Sequence, residues 1–165
     1  MPEIDFGIKT KTEDTNSKDE ILQLVSFNIG EEEYGIDILL VQEIIRMVDI
    51  TRVPNTWNFV VGVINLRGKV VPIIDFRLRL GLERKEYDSS TRIIVVELSS
   101  KVIGFVVDNV NEVLRIKKSI TEPPPPMTTE IGSEFITSVA KLENRLLILL
   151  DLNKVIKSDE IIETN

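Results

Sequence analysis

The chain has 165 residues, a formal net charge of −7, and neither cysteine nor histidine. The missing residue types exclude disulfides, thiolate nucleophiles, histidine general bases and metal sites built on His or Cys ligands. Residues 1–20 and 158–165 each carry −3, which leaves −1 for residues 21–157, so the body lacks the basic stripe that would make nucleic acid a partner.

Polar segments flank a hydrophobic body. Residues 1–20 are predicted to form a flexible acidic tail, which we expect to be dispensable, and residues 158–165 a C-terminal tail. No stretch has the apolar length of a membrane span, and the first residues lack the apolar region of a signal peptide. We therefore expect a cytoplasmic protein with no direct membrane insertion.

Between these tails the chain consists of short runs of Val, Ile and Leu, each of strand length and bounded by turn-forming residues. In chain order they are ILQLVSFNI (21–29), EYGI (33–36), VVGVINL (60–66), KVVPIIDF (69–76), RIIVVEL (92–98), KVIGFVVD (101–108), SVAKL (138–142) and RLLILLDL (145–152). The pattern predicts an all-β protein, with short helical pieces at PNTW (54–57) and LNKVIK (152–157). Trp57 is interpreted as a packing residue.

The two halves of the body repeat. Residues 34–46 align without a gap with 103–115, and residues 59–80 align with 135–156. We infer a duplicated small barrel, with the first copy at about 21–80 and the second at about 92–156. Residues at matching positions of the two copies are called equivalent below. The stretch IDILLVQEIIRM (36–47) could form an amphipathic helix, but its equivalent contains Asp108-Asn109, so a turn followed by a strand suits both copies better.

Residues that could carry catalysis have a simpler structural explanation. Asp75 and Asp151 are equivalent and follow apolar strands, where an Asp commonly caps the turn beyond. No glycine-rich phosphate loop and no calcium-binding spacing occurs. The sequence therefore predicts neither an enzyme nor a bound cofactor or metal.

The hairpin tip NLRGK (65–69) interrupts two apolar runs, and its equivalent is KLENR (141–145). Gly68 in the first copy, or Asn144 in the second, would supply the positive φ that a tight turn needs. Arg67 stands where the second copy has Glu143, and an arginine between apolar strands is a plausible anchor for a partner. The alternative is an ordinary solvated turn residue.

These segments together resemble the CheW family of bacterial chemotaxis coupling proteins. The resemblance covers about residues 22–157, which defines a CheW-like domain at 21–157. Its most specific element is GVxNLRGxVxPxxDxR, here Gly62 to Arg77. It implies two intertwined five-stranded SH3-like β-barrels, in agreement with the internal repeat. It also implies a non-catalytic adaptor that joins chemoreceptor cytoplasmic tips to the histidine kinase CheA, at the receptor array beneath the inner membrane.

The resemblance further implies where the partners bind. The receptor's helical hairpin tip would lie in the groove between the barrels, and Glu43 matches a position implicated in coupling. The regulatory domain of CheA would bind the outer ends of the barrels, at residues that the sequence does not resolve. The residues assigned to the receptor contact are Val41, Gly62, Val63, Asn65, Leu66, Arg67, Gly68, Gly104 and Val113.

Two alternatives stand beside the adaptor. The regulatory domain of a CheA-type kinase would share the fold, but the length of the chain argues against a whole kinase. A small β-barrel that binds a ligand in its interior would need converging polar groups, which the predicted strands scarcely offer.

Overall fold

The computed structural model describes residues 20–124 and 133–156. Its strands are β1 (Ile21–Ile29), β2 (Glu32–Asp37), β3 (Val41–Arg46), β4 (Val60–Leu66), β5 (Lys69–Asp75), β6 (Arg92–Leu98), β7 (Lys101–Val107), β8 (Asn109–Lys117), β9 (Thr121–Glu122), β10 (Ile136–Lys141) and β11 (Leu146–Leu150). The helices are α1 (Phe76–Arg79) and α2 (Leu152–Ile156), and 3-10 turns occupy Ile38–Leu40, Lys118–Ile120 and Ser133–Phe135. The all-β prediction is confirmed.

The strands form two sheets, and each sheet takes strands from both repeats. One sheet has the order β8-β1-β2-β11-β10-β9 and the other the order β3-β6-β7-β5-β4. The exchange happens because the chain crosses between sheets after β2 and after β7. Parallel pairings, β2 with β11 and β5 with β7, join one repeat to the other. The copies are therefore intertwined, as the resemblance implies.

The registers of the two sheets match residue by residue. Gly35 lies opposite Leu149 in one sheet, and their equivalents Gly104 and Ile73 lie opposite each other in the second. Bulges also recur at equivalent places, next to Gln42 in the β3–β6 pair and next to Asn111 in the β1–β8 pair. The approximate counterpart of strand β9 in the other sheet is a single β-bridge between Thr51 and Val63. One sheet therefore has six strands and the other has five.

Three apolar clusters hold these layers together. The central cluster packs one face of each sheet with both helices, and includes Phe27, Phe76 and Phe105 in ring-to-ring contact. A second cluster fills the interior of the five-stranded sheet around Ile73. A third lies on the six-stranded sheet around Leu147. Burial of this kind is the main favourable term in folding, and it fixes which strand faces can remain accessible.

The local predictions have mixed outcomes. Residues 38–46 form a short 3-10 turn and strand β3, and α2 forms at the predicted place. No helix forms at residues 54–57, because Asn55 has a φ of 62°, which is incompatible with a right-handed helix. Trp57 is 50% exposed and stacks on Phe59, so it is not a core residue.

The predicted tails lie almost wholly outside the described residues. Glu20 is the exception, since its carbonyl oxygen accepts a hydrogen bond of 2.7 Å from the backbone N–H of Lys118. Residues 158–165 and the second half of the proline run, 125–126, lie outside as well. Within the described ranges, no helix is long and apolar enough to cross a membrane.

Candidate functional site

The tip between β4 and β5 is a two-residue turn in which both residues have left-handed backbone conformations. Arg67 has a φ of 52° and Gly68 a φ of 86°, the combination of a type I′ hairpin turn. The side-chain oxygen of Asn65 accepts a hydrogen bond of 2.9 Å from the Gly68 N–H. The positive φ predicted for Gly68 is confirmed. Asn144 is not among the described residues with positive φ, so that prediction is wrong.

Arg67 forms an ion pair with Glu43 between the two edges of the five-stranded sheet. Its Nη2 bonds to one Glu43 oxygen, and its Nη1 lies 3.4 Å from the other. Because β3 and β4 are opposite edges of that sheet, the ion pair joins the two edges. The hydrogen bond to Glu43, together with its negative charge, raises the pKa of the Arg67 guanidinium. Two residues assigned separately, as anchor and as coupling residue, are thus one unit.

The equivalent tip in the six-stranded sheet is closed by a different arginine. Arg145 Nε lies 2.8 Å from Glu33, and one of its Nη atoms lies 2.9 Å from Glu112, the equivalent of Glu43. The buried Ser26 hydroxyl donates a further hydrogen bond to Glu33. Sequence reasoning missed Arg145. The signal was that its equivalent, Lys69, is also basic.

Two of the assigned glycines are buried, which separates them from direct contact with any partner. A Cβ atom on Gly62 would lie 2.1 Å from the carbonyl oxygen of Thr51, so the Thr51–Val63 bridge requires glycine there. A Cβ on Gly104 would lie 2.6 Å from Cδ1 of Ile73. Both glycines therefore shape the five-stranded sheet rather than offer a surface.

The other assigned residues divide between the two sheets. Val41, Val63 and Leu66 are half-buried in the five-stranded sheet, which also carries the exposed tip. Val113 lies on β8 of the six-stranded sheet and is 53% exposed. The structure thus brings Arg67 and Glu43 into contact and leaves the shared groove with Val113 a prediction.

The acidic residues after the two repeats' last strands are helix caps. Asp75 accepts hydrogen bonds from the Arg77 N–H at 2.9 Å and from the Tyr87 hydroxyl at 2.8 Å. Asp151 accepts one from the Asn153 N–H at 3.0 Å. Both agree with the capping prediction. Within the described parts of the chain, no group of three or more acidic side chains is placed to hold a metal ion.

Comparison with known proteins agrees with this architecture. The family model of the CheW-like domain matches residues 23–160. The chemotaxis protein CheW of Klebsiella aerogenes is 41% identical over 138 residues, which cover 84% of this chain and 83% of that protein. The CheW of Helicobacter pylori is 38% identical over 141 residues, 86% and 85% of the two chains.

A solved structure is similar in the same way. The crystal structure of the scaffolding protein TtCheW from Thermoanaerobacter tengcongensis superposes with a TM-score of 0.77 at 38% identity, over 84% of this chain and 94% of that one. Fold, sequence motif and length of match coincide. The chain therefore belongs to the CheW family of non-catalytic scaffold proteins in chemotaxis.

Proposed function

We propose that this protein is the adaptor that couples chemoreceptor cytoplasmic tips to the regulatory domain of the histidine kinase CheA, in the cytoplasm at the receptor array. The single observation that supports the receptor contact best is the Arg67–Glu43 ion pair between the two edges of the five-stranded sheet. Arg67 is 70% exposed there, although it is held in place by Glu43. A pre-oriented guanidinium pays less entropy on binding a partner than a free one.

The surroundings of this unit suit a helical partner. Val41, Val63 and Leu66 supply partly exposed apolar surface, and Val113 supplies more from the neighbouring sheet. An apolar helix face laid into such a groove needs one polar contact to set its register. In this proposal Arg67 makes that contact while Glu43 holds its orientation. The buried Gly62 and Gly104 contribute through the shape of the sheet.

The decisive experiment reconstitutes the full chain with a receptor cytoplasmic fragment and CheA. We expect both to bind, and the ternary complex to place kinase activity under receptor control. Arg67→Ala should weaken receptor binding about tenfold and leave CheA binding and the melting temperature nearly unchanged. Lys101→Ala, at the exposed start of β7, is the matched control and should leave receptor binding, CheA binding and the melting temperature unchanged. Failure to bind either partner contradicts the adaptor function.

A charge swap separates the two roles that Arg67 can have. The double variant Arg67→Glu/Glu43→Arg keeps an ion pair across the sheet edges and moves the cation from the tip to β3. If Arg67 touches the receptor, the swap will not restore binding. Full restoration would make the ion pair a purely structural clamp and contradict the anchor role.

A further inference from the structure

Arg77 ends the sequence motif that begins at Gly62, yet it lies outside the assigned receptor contact. It belongs to α1, which follows β5 of the five-stranded sheet, and its Nη1 lies 2.8 Å from Oδ2 of Asp108. Asp108 stands between β7 and β8, where the chain crosses to the six-stranded sheet. The same Asp108 oxygen accepts a hydrogen bond of 2.8 Å from the Gly30 N–H, in the turn between β1 and β2. This carboxylate therefore ties the two sheets together.

The Arg77–Asp108 ion pair is shielded from water and fixed in orientation. The Arg77 side chain is 18% exposed and that of Asp108 14%. Nε of Arg77 donates a second hydrogen bond of 3.0 Å to the Glu83 carbonyl oxygen, and the Asp108 N–H donates one of 3.1 Å to the carbonyl oxygen of Asn28 in β1. Loss of one member of such a pair leaves a poorly solvated charge, so this pair holds its geometry more firmly than an exposed pair does.

The equivalent crossover has no such ion pair. Arg77 and Asp108 continue the parallel pairing of β5 with β7, each standing two residues past a paired position. The β2–β11 pairing has the same register, and there the equivalent residues are Asn153 and Leu39. Neither residue carries a charge, and Leu39 is 87% exposed. The sheets are thus tied by an ion pair at one crossover and not at its equivalent.

The tied crossover lies at the base of both strands that border the proposed receptor groove. Val113 lies on β8 five residues after Asp108, at most about 16 Å along an extended strand. In the other sheet, Val63 lies opposite Pro72, five residues before Arg77. A rotation of β8 by about 5° around the ion pair would move Val113 by about 1.4 Å. A gap of that size forfeits much of the van der Waals attraction to a helix face.

We propose that Arg77 and Asp108 are positioning residues of the receptor groove. Their ion pair fixes β8, which carries Val113, relative to the β4–β5 hairpin, which carries Arg67. The use of the groove rests on the proposed receptor contact, whereas the tie between the sheets does not. Neither Arg77 nor Asp108 touches the receptor. With the pair intact, the groove has one width, so that binding a receptor helix does not first have to order the two sheets.

The first test measures the distance between the sheets in the free, full-length protein. Because the chain has no cysteine, Val70→Cys on β5 and Lys117→Cys on β8 place two nitroxide labels without competing thiols. Double electron–electron resonance should give a narrow distance distribution, which Asp108→Asn or Arg77→Gln should broaden by roughly half or more. Leu39→Ala, at the equivalent crossover, is the matched control and should leave the width unchanged. Equal widths in all of these proteins would overturn the proposal, as would equal broadening by Leu39→Ala.

The second test asks whether receptor binding depends on this geometry. Asp108→Asn and Arg77→Gln should each raise the Kd for a receptor cytoplasmic fragment about fivefold. The double variant should raise it no further than either single variant, because the two residues act as one unit. Wild-type affinity in variants whose distance distribution has broadened would overturn the positioning role.

A control variant separates positioning from a general loss of stability. Tyr87→Phe removes a different hydrogen bond at the start of the same helix, the one to Asp75, and should leave both the distance distribution and the receptor affinity unchanged. A loss of affinity in Tyr87→Phe equal to that in Arg77→Gln would overturn the positioning role. Failure of the wild-type chain to bind the receptor would contradict the adaptor function, while the tie between the sheets would still be decided by the distances in the free protein.

Discussion

An arginine at the tip of each of the two equivalent hairpins forms ion pairs across its sheet, but the two arginines differ in how many carboxylates they meet and in how buried those carboxylates are. At residues 66–69 one exposed arginine meets one carboxylate, whereas at residues 142–146 Arg145 meets two, and one of these, Glu33, is 11% exposed and bonded to buried Ser26. The equivalents of Ser26 and Glu33 in the other copy are Val95 and Val102. Duplication thus kept the closure of both sheets and placed a polar interior network in only one.

This difference separates a structural clamp from an available side chain. Arg145 neutralises a carboxylate that is largely removed from water, so the folded structure needs the positive charge of Arg145. Arg67 balances a carboxylate that is better solvated, and its own side chain is 70% exposed. The first copy is therefore the one whose arginine can serve a partner at little cost to stability.

The largest expected effect concerns the strand that leads to the Arg67 tip. Gly62→Ser should lower the free energy of unfolding by about 3 kcal/mol or more, because any side chain collides with the Thr51 carbonyl. The equivalent residue is Ser138, and Ser138→Gly should cost less than about 1 kcal/mol. Urea denaturation of both variants measures the contrast. Equal losses would mean that the two sheets pack alike at this position.

A smaller effect distinguishes the two arginines. Arg145→Ala should cost about 2 kcal/mol, since it leaves Glu33 largely buried and without its cation. Arg67→Ala should leave stability nearly unchanged, because exposed ion pairs contribute little. Adding Glu33→Gln to Arg145→Ala should recover part of the loss. Thermal and urea denaturation measure all of these variants, and similar losses for the two arginines would contradict the distinction.

The smallest expected effect comes from a difference between the two capping aspartates, since one of them also bonds Tyr87. Asp75, unlike Asp151, is almost fully buried and accepts the Tyr87 hydroxyl. Burial first, and then the charge and hydrogen bond of Asp75, raise the pKa of Tyr87. The folded state therefore favours the neutral phenol, so this contribution is complete below the ordinary tyrosine pKa of about 10 and is lost as the pH rises above it.

Tyr87→Phe is the variant that checks this. It should cost about 1 kcal/mol at neutral pH through the lost hydrogen bond, and it should lose less stability than the wild type between pH 10 and 11. Melting temperatures across that range provide the measurement. Tyr34→Phe is the comparison variant. Burial first, and then the charge of Glu32, raise the pKa of Tyr34, so this variant should also lose less stability than the wild type above pH 10 but should remove no hydrogen bond to an Asp. Parallel alkaline profiles for wild type and Tyr87→Phe would contradict the assignment.

Much of the local structure was predictable because short-range patterns specify it. Runs of β-branched residues between turn formers gave the strands, and the repeat gave the strand following the Ile38–Leu40 turn. The prediction of a helix at residues 54–57 failed, because the left-handed Asn55 cannot be read from propensity. The positive φ at Arg67 was equally hidden, since glycine is the residue expected to supply it.

What the sequence by itself determined was the all-β class, the duplication and the family, because these depend on residue types, on spacing within a strand and on matches along the chain. Tertiary structure alone decided which sheet each strand joins and which charges meet. Arg67 and Glu43 lie 24 positions apart on opposite edges of one sheet, and only its closure brings them together. Arg145 and Glu112 lie 33 positions apart, at the turn before β11 and on the edge strand β8 of the other, six-stranded sheet. Alternation along a strand sets which face is buried, but pairing between distant strands depends on the packing of the whole core.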